Sequence, residues 1–251
     1  MKAIILCAGQ GTRLRPYTDE LPKCMVKVNG VSLIDIQLKI LRSRGIHEIV
    51  LIGGHFHEKL PTGLLKVVNP KYDSSNMVKS LSMALEHVSG DVIIGYGDIA
   101  YSADILDSLI NATHDINVSV DSRWEEYWRS RSSDYMSDVE TLMLGSKGSI
   151  IDIGNKPRRS EQVEGQYMGI MKLNNAGSSI FRKFLSSQNQ IVNKKSFDEC
   201  YMTDMLQSLI NQGTDIWPCF TTSPWIEVDT VDDLHNPVTL ERAKSILTSQ
   251  M

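Results

Sequence analysis

Long apolar runs, a basic excess and a cysteine framework are all missing from this sequence. No stretch approaches the ~18 apolar residues that a membrane-spanning helix requires. The N-terminal run Ala3 to Ala8 is at the short edge for a signal core and stops at Gly9-Gln10-Gly11 and Arg13. Secretion and membrane spanning are disfavoured, and a cytoplasmic protein is expected. The four cysteines, Cys7, Cys24, Cys200 and Cys219, form no Cys-x-x-Cys pair and have no histidine at metal-ligand spacing. They read as reduced thiols, neither a zinc site nor a disulfide framework. With 26 Lys and Arg against 30 Asp and Glu, the formal charge of -4 argues against a duplex nucleic-acid binder. Only 8 Pro and 17 Gly accompany 41% hydrophobic and 22% charged residues, so disordered, collagen-like and low-complexity classes drop out. The 251 residues suit one α/β domain or two small ones.

Ala3 to Cys7 is a continuous apolar run without polar alternation, the pattern of a strand covered on both faces in a mainly parallel sheet. Ser32 caps a helix with Leu33, Ile34, Leu38 and Leu41 at helical spacing, and Gly45 stops it. Strands at 48–52, 64–68 and 92–96 then alternate with helices near Asn76 and over 102–112, as in parallel β-α-β units. Beyond Asn117 the pattern shifts to short strands near Val118, Leu142, Ile151 and Met168, with helices at 175–187 and 202–212. Strands near Ile216 and over 225–228 and a helix from Pro237 close the chain. The expected fold is α/β: a single Rossmann-like domain, 1–251, with a mixed, mostly parallel central sheet flanked by helices. Residues 1–116 form a nucleotide-binding front half and 117–251 an acceptor-binding, metal-completing half.

In such sheets ligands sit beyond the carboxyl ends of strands, which directs attention to the first loop, Ala8-Gly9-Gln10-Gly11-Thr12-Arg13-Leu14-Arg15-Pro16. Two glycines let backbone amides approach an anion, and the basic side chains can neutralise phosphate. Residues 1–30 carry Lys2, Arg13, Arg15, Lys23 and Lys27 against Asp19 and Glu20, a net +3 in a chain of -4. A dinucleotide fingerprint would need glycine at Leu14, and a P-loop would need Gly-Lys-Ser or Gly-Lys-Thr; neither is present.

Gly9, Gly11, Thr12, Arg13, Pro16 and Pro22-Lys23 together resemble the signature of the sugar-nucleotidyltransferase superfamily. Pro22-Lys23-Cys24-Met25, the helix from Asn76, Gly97-Asp98, Asn155-Lys156-Pro157 and Trp225 to Thr230 follow in that family's order along nearly the whole chain. The segment with Asn76 and Ser80, and Glu227-Val228-Asp229, are most similar to the CTP-using phosphocholine cytidylyltransferase group. The resemblance implies a nucleotide site using Leu6, Ala8, Gly9, Gly11, Thr12, Arg13, Lys23, Asn76 and Ser80. It also implies transfer of CMP from CTP to a small phosphorylated acceptor such as phosphocholine or phosphoglutamine, with pyrophosphate released.

Asp98 and Asp229 each follow a strand, which puts two carboxylates at the cleft where they can share Mg²⁺. Glu227, two residues before Asp229, is expected on the same strand face as a third ligand or acceptor contact. Arg13 is assigned to the triphosphate, Lys23 to the reacting phosphates and Lys156 to the acceptor phosphate. Asp121, Tyr167 and Tyr201 are the further acceptor candidates. Trp124, Tyr127 and Trp128 fit either a cation site for an amine-bearing acceptor or core packing, since their spacing is helical. Arg158-Arg159 could bind a second anionic group on the acceptor. The rival activities are a hexose-1-phosphate uridylyl- or thymidylyltransferase and a catalytically silent nucleotide-binding regulatory protein. No nucleic-acid or membrane partner is expected, and monomer and homodimer both stay open.

Overall fold

The computed structural model describes residues 1–187, 191–192 and 195–248. Its central sheet has seven strands: β1 (Lys2–Cys7), β2 (Ile49–Gly53), β3 (Leu65–Val68), β4 (Val92–Tyr96), β5 (Ile116–Asp121), β6 (Gln166–Leu173) and β7 (Trp217–Thr221), in the order β7-β5-β6-β4-β1-β2-β3. β6 runs antiparallel to both its neighbours, and every other pairing is parallel. The sheet is mixed and mostly parallel, as expected. β1 explains why its sequence does not alternate: Ala3, Ile5 and Cys7 enter one apolar layer, and Ile4 and Leu6 enter the other. Both faces are dry, so every position is apolar.

One layer is roofed by α1 (Leu33–Ser43), α3 (Ala103–Asn111), α4 (Trp124–Arg131) and α8 (Pro237–Thr248), and the other by α2 (Met77–Met83), α5 (Asn175–Ser186) and α6 (Met202–Asn211). Ser32 caps α1 by accepting from Asp35 N at 3.2 Å. Gly45, at φ 73°, takes the left-handed turn that ends it. The short α7 (Val231–His235) follows the strand Trp225–Glu227.

After Asn117 the pairing is mixed on one side of the sheet, as expected, but two of the strands are longer than expected. β5 and β6 are full members of the main sheet, while Leu142–Leu144 with Ile150–Ile153, and Ile191–Val192 with Lys195–Ser196, form separate antiparallel pairs. Buried Asn117, Ser119 and Asp121 interrupt the apolar run of β5, which disguises a two-sided strand as an amphipathic one. Among the described residues no helix is long and apolar enough to cross a membrane.

Candidate active site

β1 and β4 lie side by side, and the site forms where the chain leaves their carboxyl ends. In the loop after β1, Gly11 takes φ 62°, a left-handed conformation that suits glycine. Thr18 Oγ1 donates to Gly11 O at 2.7 Å, and buried Leu14 anchors the 3-10 turn Thr12–Leu14. After β4, Gly97 N donates to Leu6 O at 2.9 Å. A Cβ at Gly97 would stand 2.8 Å from that same oxygen, so the close approach requires glycine. Gln37, buried on α1, donates to Tyr96 O at 3.0 Å and to Ile99 O at 2.8 Å. It clamps the chain on both sides of Asp98.

Asp98 meets Asp229 through an antiparallel ribbon of Ile99–Tyr101 and Trp225–Glu227, in which Glu227 lies opposite Ile99. One step on, Val228 N donates to Asp98 O at 3.1 Å, which sets Asp229 beside Asp98. The Lys23 ammonium bridges them, 2.7 Å from Asp98 Oδ2 and hydrogen-bonded to Asp229 Oδ1. Burial disfavours this ammonium, but the two carboxylates outweigh burial and hold it above its ordinary pKa. Burial likewise opposes ionisation of Asp229, yet Lys23, Arg13 and Arg131 draw its carboxyl below the usual range. Arg13 Nη2 stands 3.5 Å from Asp229 Oδ2, with its side chain 64% exposed.

A hard divalent ion such as Mg²⁺ takes a few carboxylate oxygens and completes its shell with water and phosphate oxygens. Asp98 and Asp229 fit that donor set, and Asp98 Oδ1 is buried without a hydrogen-bond partner. The three-carboxylate set expected with Glu227 is not assembled: among the described residues no three His, Cys, Asp or Glu side chains converge as a metal site. The strand ends at Glu227, so period-two spacing does not carry over to Asp229. Glu227 Oε2 is instead taken by Arg131 Nη1 at 2.8 Å.

Beside this trio lies a pocket whose walls include Leu6, Ala8, Gly9, Lys23, Asn76 and Ser80, all candidates from the sequence. Gly11 and Thr12 shape the loop and lie outside that lining. Asn76 is also the cap of α2, accepting from Met77 N at 3.0 Å, and Ser80 Oγ accepts from Asn69 Nδ2 at 3.0 Å. Tyr72, Ser75 and Tyr96 add to the walls with Cys7 and Cys24, and Asp98 also lines the pocket. A hydrogen bond to Cys24, then burial, pushes the Cys7 thiol up.

The acceptor candidates are dispersed. Asp121 is buried, accepts from Trp225 Nε1 at 2.8 Å and caps the following turn at Arg123 N at 2.7 Å. Lys156 Nζ donates to Met136 O at 2.8 Å and to Ser137 O, tying down the turn Tyr135–Ser137. The half-buried Tyr167 packs edge-on against Tyr96 at 5.9 Å. Tyr201 is 51% exposed with Lys195 Nζ 4.6 Å from its ring centre, and Arg158 and Arg159 are exposed. Trp124, Tyr127 and Trp128 are buried and join Trp225 in the core, which settles their role as packing. Sequence reasoning missed Gln37 and Arg131, because nothing local in a helix face announces a partner elsewhere in the chain.

Residues 3–150 match the model of the MobA-like NTP transferase domain. The chain is 34% identical over 248 residues to the CTP:phosphoglutamine cytidylyltransferase of Campylobacter jejuni, covering 93% of this chain and 98% of that protein. It is 33% identical over 156 residues to the choline-phosphate cytidylyltransferase of Streptococcus pneumoniae, covering 60% of this chain and 67% of that one. The solved structure of a CTP:phosphocholine cytidylyltransferase from Streptococcus pneumoniae shares the fold, with a TM-score of 0.68 at 24% identity over 93% of this chain and 96% of that one. The matched domain takes in the glycine loop, Lys23 and Asp98, and the alignment to the Campylobacter jejuni protein covers 93% of this chain; this chain belongs to the MobA-like NTP transferase family and is a nucleotidyltransferase.

Proposed function

We propose that this protein is a cytidylyltransferase that moves CMP from CTP onto a small phosphorylated amine or amide, phosphoglutamine or phosphocholine in type. The observation that carries the reading is Lys23 held between Asp98 and Asp229 at the mouth of a pocket walled by the glycine loop. The end-to-end likeness to a phosphoglutamine cytidylyltransferase supports CTP as the donor. Residues 1–116 would hold the nucleotide and 117–251 the acceptor and the second carboxylate.

An acceptor phosphate oxygen attacks the α-phosphorus of CTP, the bond to the β-phosphate oxygen breaks, and pyrophosphate leaves in line. No general base is required, since a phosphate monoester with its second pKa near ~6 is largely ionised at neutral pH. The protein's task is to bring two anions together and offset their repulsion. Arg13, exposed at the rim, holds the triphosphate; Lys23 bridges the reacting phosphates; Lys156 steadies the acceptor-side turn and meets the acceptor phosphate from there. Leu6, Ala8 and Gly9 edge the base through their backbone, with Asn76 and Ser80 as its polar side-chain contacts. Tyr167 and Tyr201 wall the acceptor end. Mg²⁺ held by Asp98 and Asp229 would supply Lewis-acid stabilisation of charge at phosphorus and on the leaving group.

The test is Mg²⁺-dependent pyrophosphate release with each nucleoside triphosphate crossed against phosphocholine, phosphoethanolamine, phosphoglutamine, glycerol phosphate and hexose 1-phosphates. Release with CTP and one phosphorylated amine or amide is the expected result. Release with UTP or dTTP and a hexose 1-phosphate would overturn it in favour of nucleotide-sugar synthesis.

A further inference from the structure

Asp229 has two arginines on one oxygen, and they differ in kind. Arg13 approaches Oδ2 at 3.5 Å from the rim with its side chain 64% exposed. Arg131 approaches the same oxygen at 3.7 Å from within the fold with its side chain 7% exposed. Arg131 also grips the chain on both flanks of Asp229. Its Nη1 donates to Glu227 Oε2 at 2.8 Å, and its Nε donates to Asp233 Oδ1 at 2.8 Å. Asp233 in turn knots the loop, with Oδ2 accepting from Asp229 N at 3.1 Å and Thr230 N at 2.9 Å.

The guanidinium is itself fixed from below, 5.6 Å from the ring centre of Tyr127 and 5.3 Å from that of Trp128. The Tyr127 hydroxyl accepts from Glu227 N at 3.2 Å, so α4 is bound to the ribbon by backbone as well as by charge. Glu227, Asp229 and Asp233, with the exposed Asp232, crowd four carboxylates into seven residues of chain, three of them at least partly buried. Without a central cation Glu227 and Asp233 would be withdrawn from water with no counter-charge in contact, which is strongly unfavourable. A planar fork with several donors meets that demand, and a lysine does not.

We propose that Arg131 is a positioning residue: it is the permanent counter-charge and brace of the Asp229 loop, which frees Arg13 to leave Asp229 for the nucleotide triphosphate. The proposal rests on the nucleotidyltransferase class and on the roles assigned above to Arg13 and Asp229, and not on which base or acceptor is used. Without Arg131, Arg13 is drawn into Asp229's pairing and is withheld from the phosphates.

The experiment compares Arg131→Lys and Arg131→Gln, each with and without Arg13→Ala. It reads pyrophosphate release, and metal-free binding of CTP, UTP, dTTP, GTP and ATP by calorimetry, at a temperature where circular dichroism shows every variant folded. Arg131→Lys should lower kcat about tenfold or more with KM for the nucleotide raised less than about threefold, since charge is kept and the fork is lost. In the otherwise unmodified protein Arg13→Ala should weaken nucleotide binding about tenfold, and in the Arg131→Gln background less than about twofold, the non-additivity of coupled groups. Equal weakening by Arg13→Ala in both backgrounds, or Arg131→Lys with kcat within about twofold of the unmodified enzyme, overturns the proposal. If Arg131→Gln does not fold, Arg131→Lys decides alone, by the fall in kcat at nearly unchanged KM. Binding of UTP or dTTP in place of CTP would end the cytidylyltransferase reading and leave the arginine test intact.

Discussion

The two carboxylates that share Lys23 are mounted in opposite ways. Asp98 rests on backbone: it follows β4, its turn is pressed onto β1 by Gly97 and clamped by Gln37, and its Oδ1 has no hydrogen-bond partner. Asp229 lies beyond a three-residue ribbon strand and is fixed by charges from distant parts of the chain, Lys23, Arg13 and Arg131. A strand end presents a carboxylate with little help from the rest of the sequence. A loop carboxylate needs counter-charges, and here a helix packed on tryptophans brings the buried one.

The largest expected effect comes from removing what the two mounts share. Lys23→Ala should lower turnover by ~10³-fold with the fold retained by circular dichroism; turnover within a few-fold of the unmodified enzyme would leave Lys23 as a structural ion-pair partner only. Asp98→Asn should lower turnover by ~10²-fold. Near-normal turnover at saturating Mg²⁺ would remove Asp98 from the metal site and leave Asp229 to act alone.

The backbone mount is tested at Gly97. Gly97→Ala places a methyl 2.8 Å from Leu6 O and 3.0 Å from Cys7 Sγ. Overpacking of that kind should destabilise by ~2–3 kcal/mol, measured as a lower urea midpoint at unchanged m-value. The charge-mounted side is tested at Asp121, which accepts from the indole of Trp225 at the start of the ribbon strand. Asp121→Asn should cost ~1–2 kcal/mol of stability and leave KM for the acceptor unchanged; a raised acceptor KM would return Asp121 to the ligand contacts. Smallest is Asn76→Ala, which removes the cap of α2 for ~1 kcal/mol. It should raise the nucleotide KM by ~3-fold through loss of a single polar contact.

Residue order alone carried much of the fold and one side of the site. The unbroken apolar runs of β1, β2 and β4, the cap at Ser32 and the stop at Gly45 are local signals, and they placed strands and helices within a few residues of where they lie. The glycine loop and Asp98 follow strand ends, where position along the chain implies position at the cleft, whereas Lys23, Asn76 and Ser80 were assigned through the family resemblance and line the same pocket. The β5–β6 pair was harder to read, because buried polar residues blurred its pattern. Three dimensions settled the rest. Ribbon register brought Asp229 to Asp98, Arg131 reached Glu227 and Asp233 from α4, and Asp121 and the tryptophans turned out to serve the core. These contacts join residues about a hundred positions apart. Side-chain chemistry states what such a residue can bind, but only the packed chain decides which partner stands within a hydrogen bond of it.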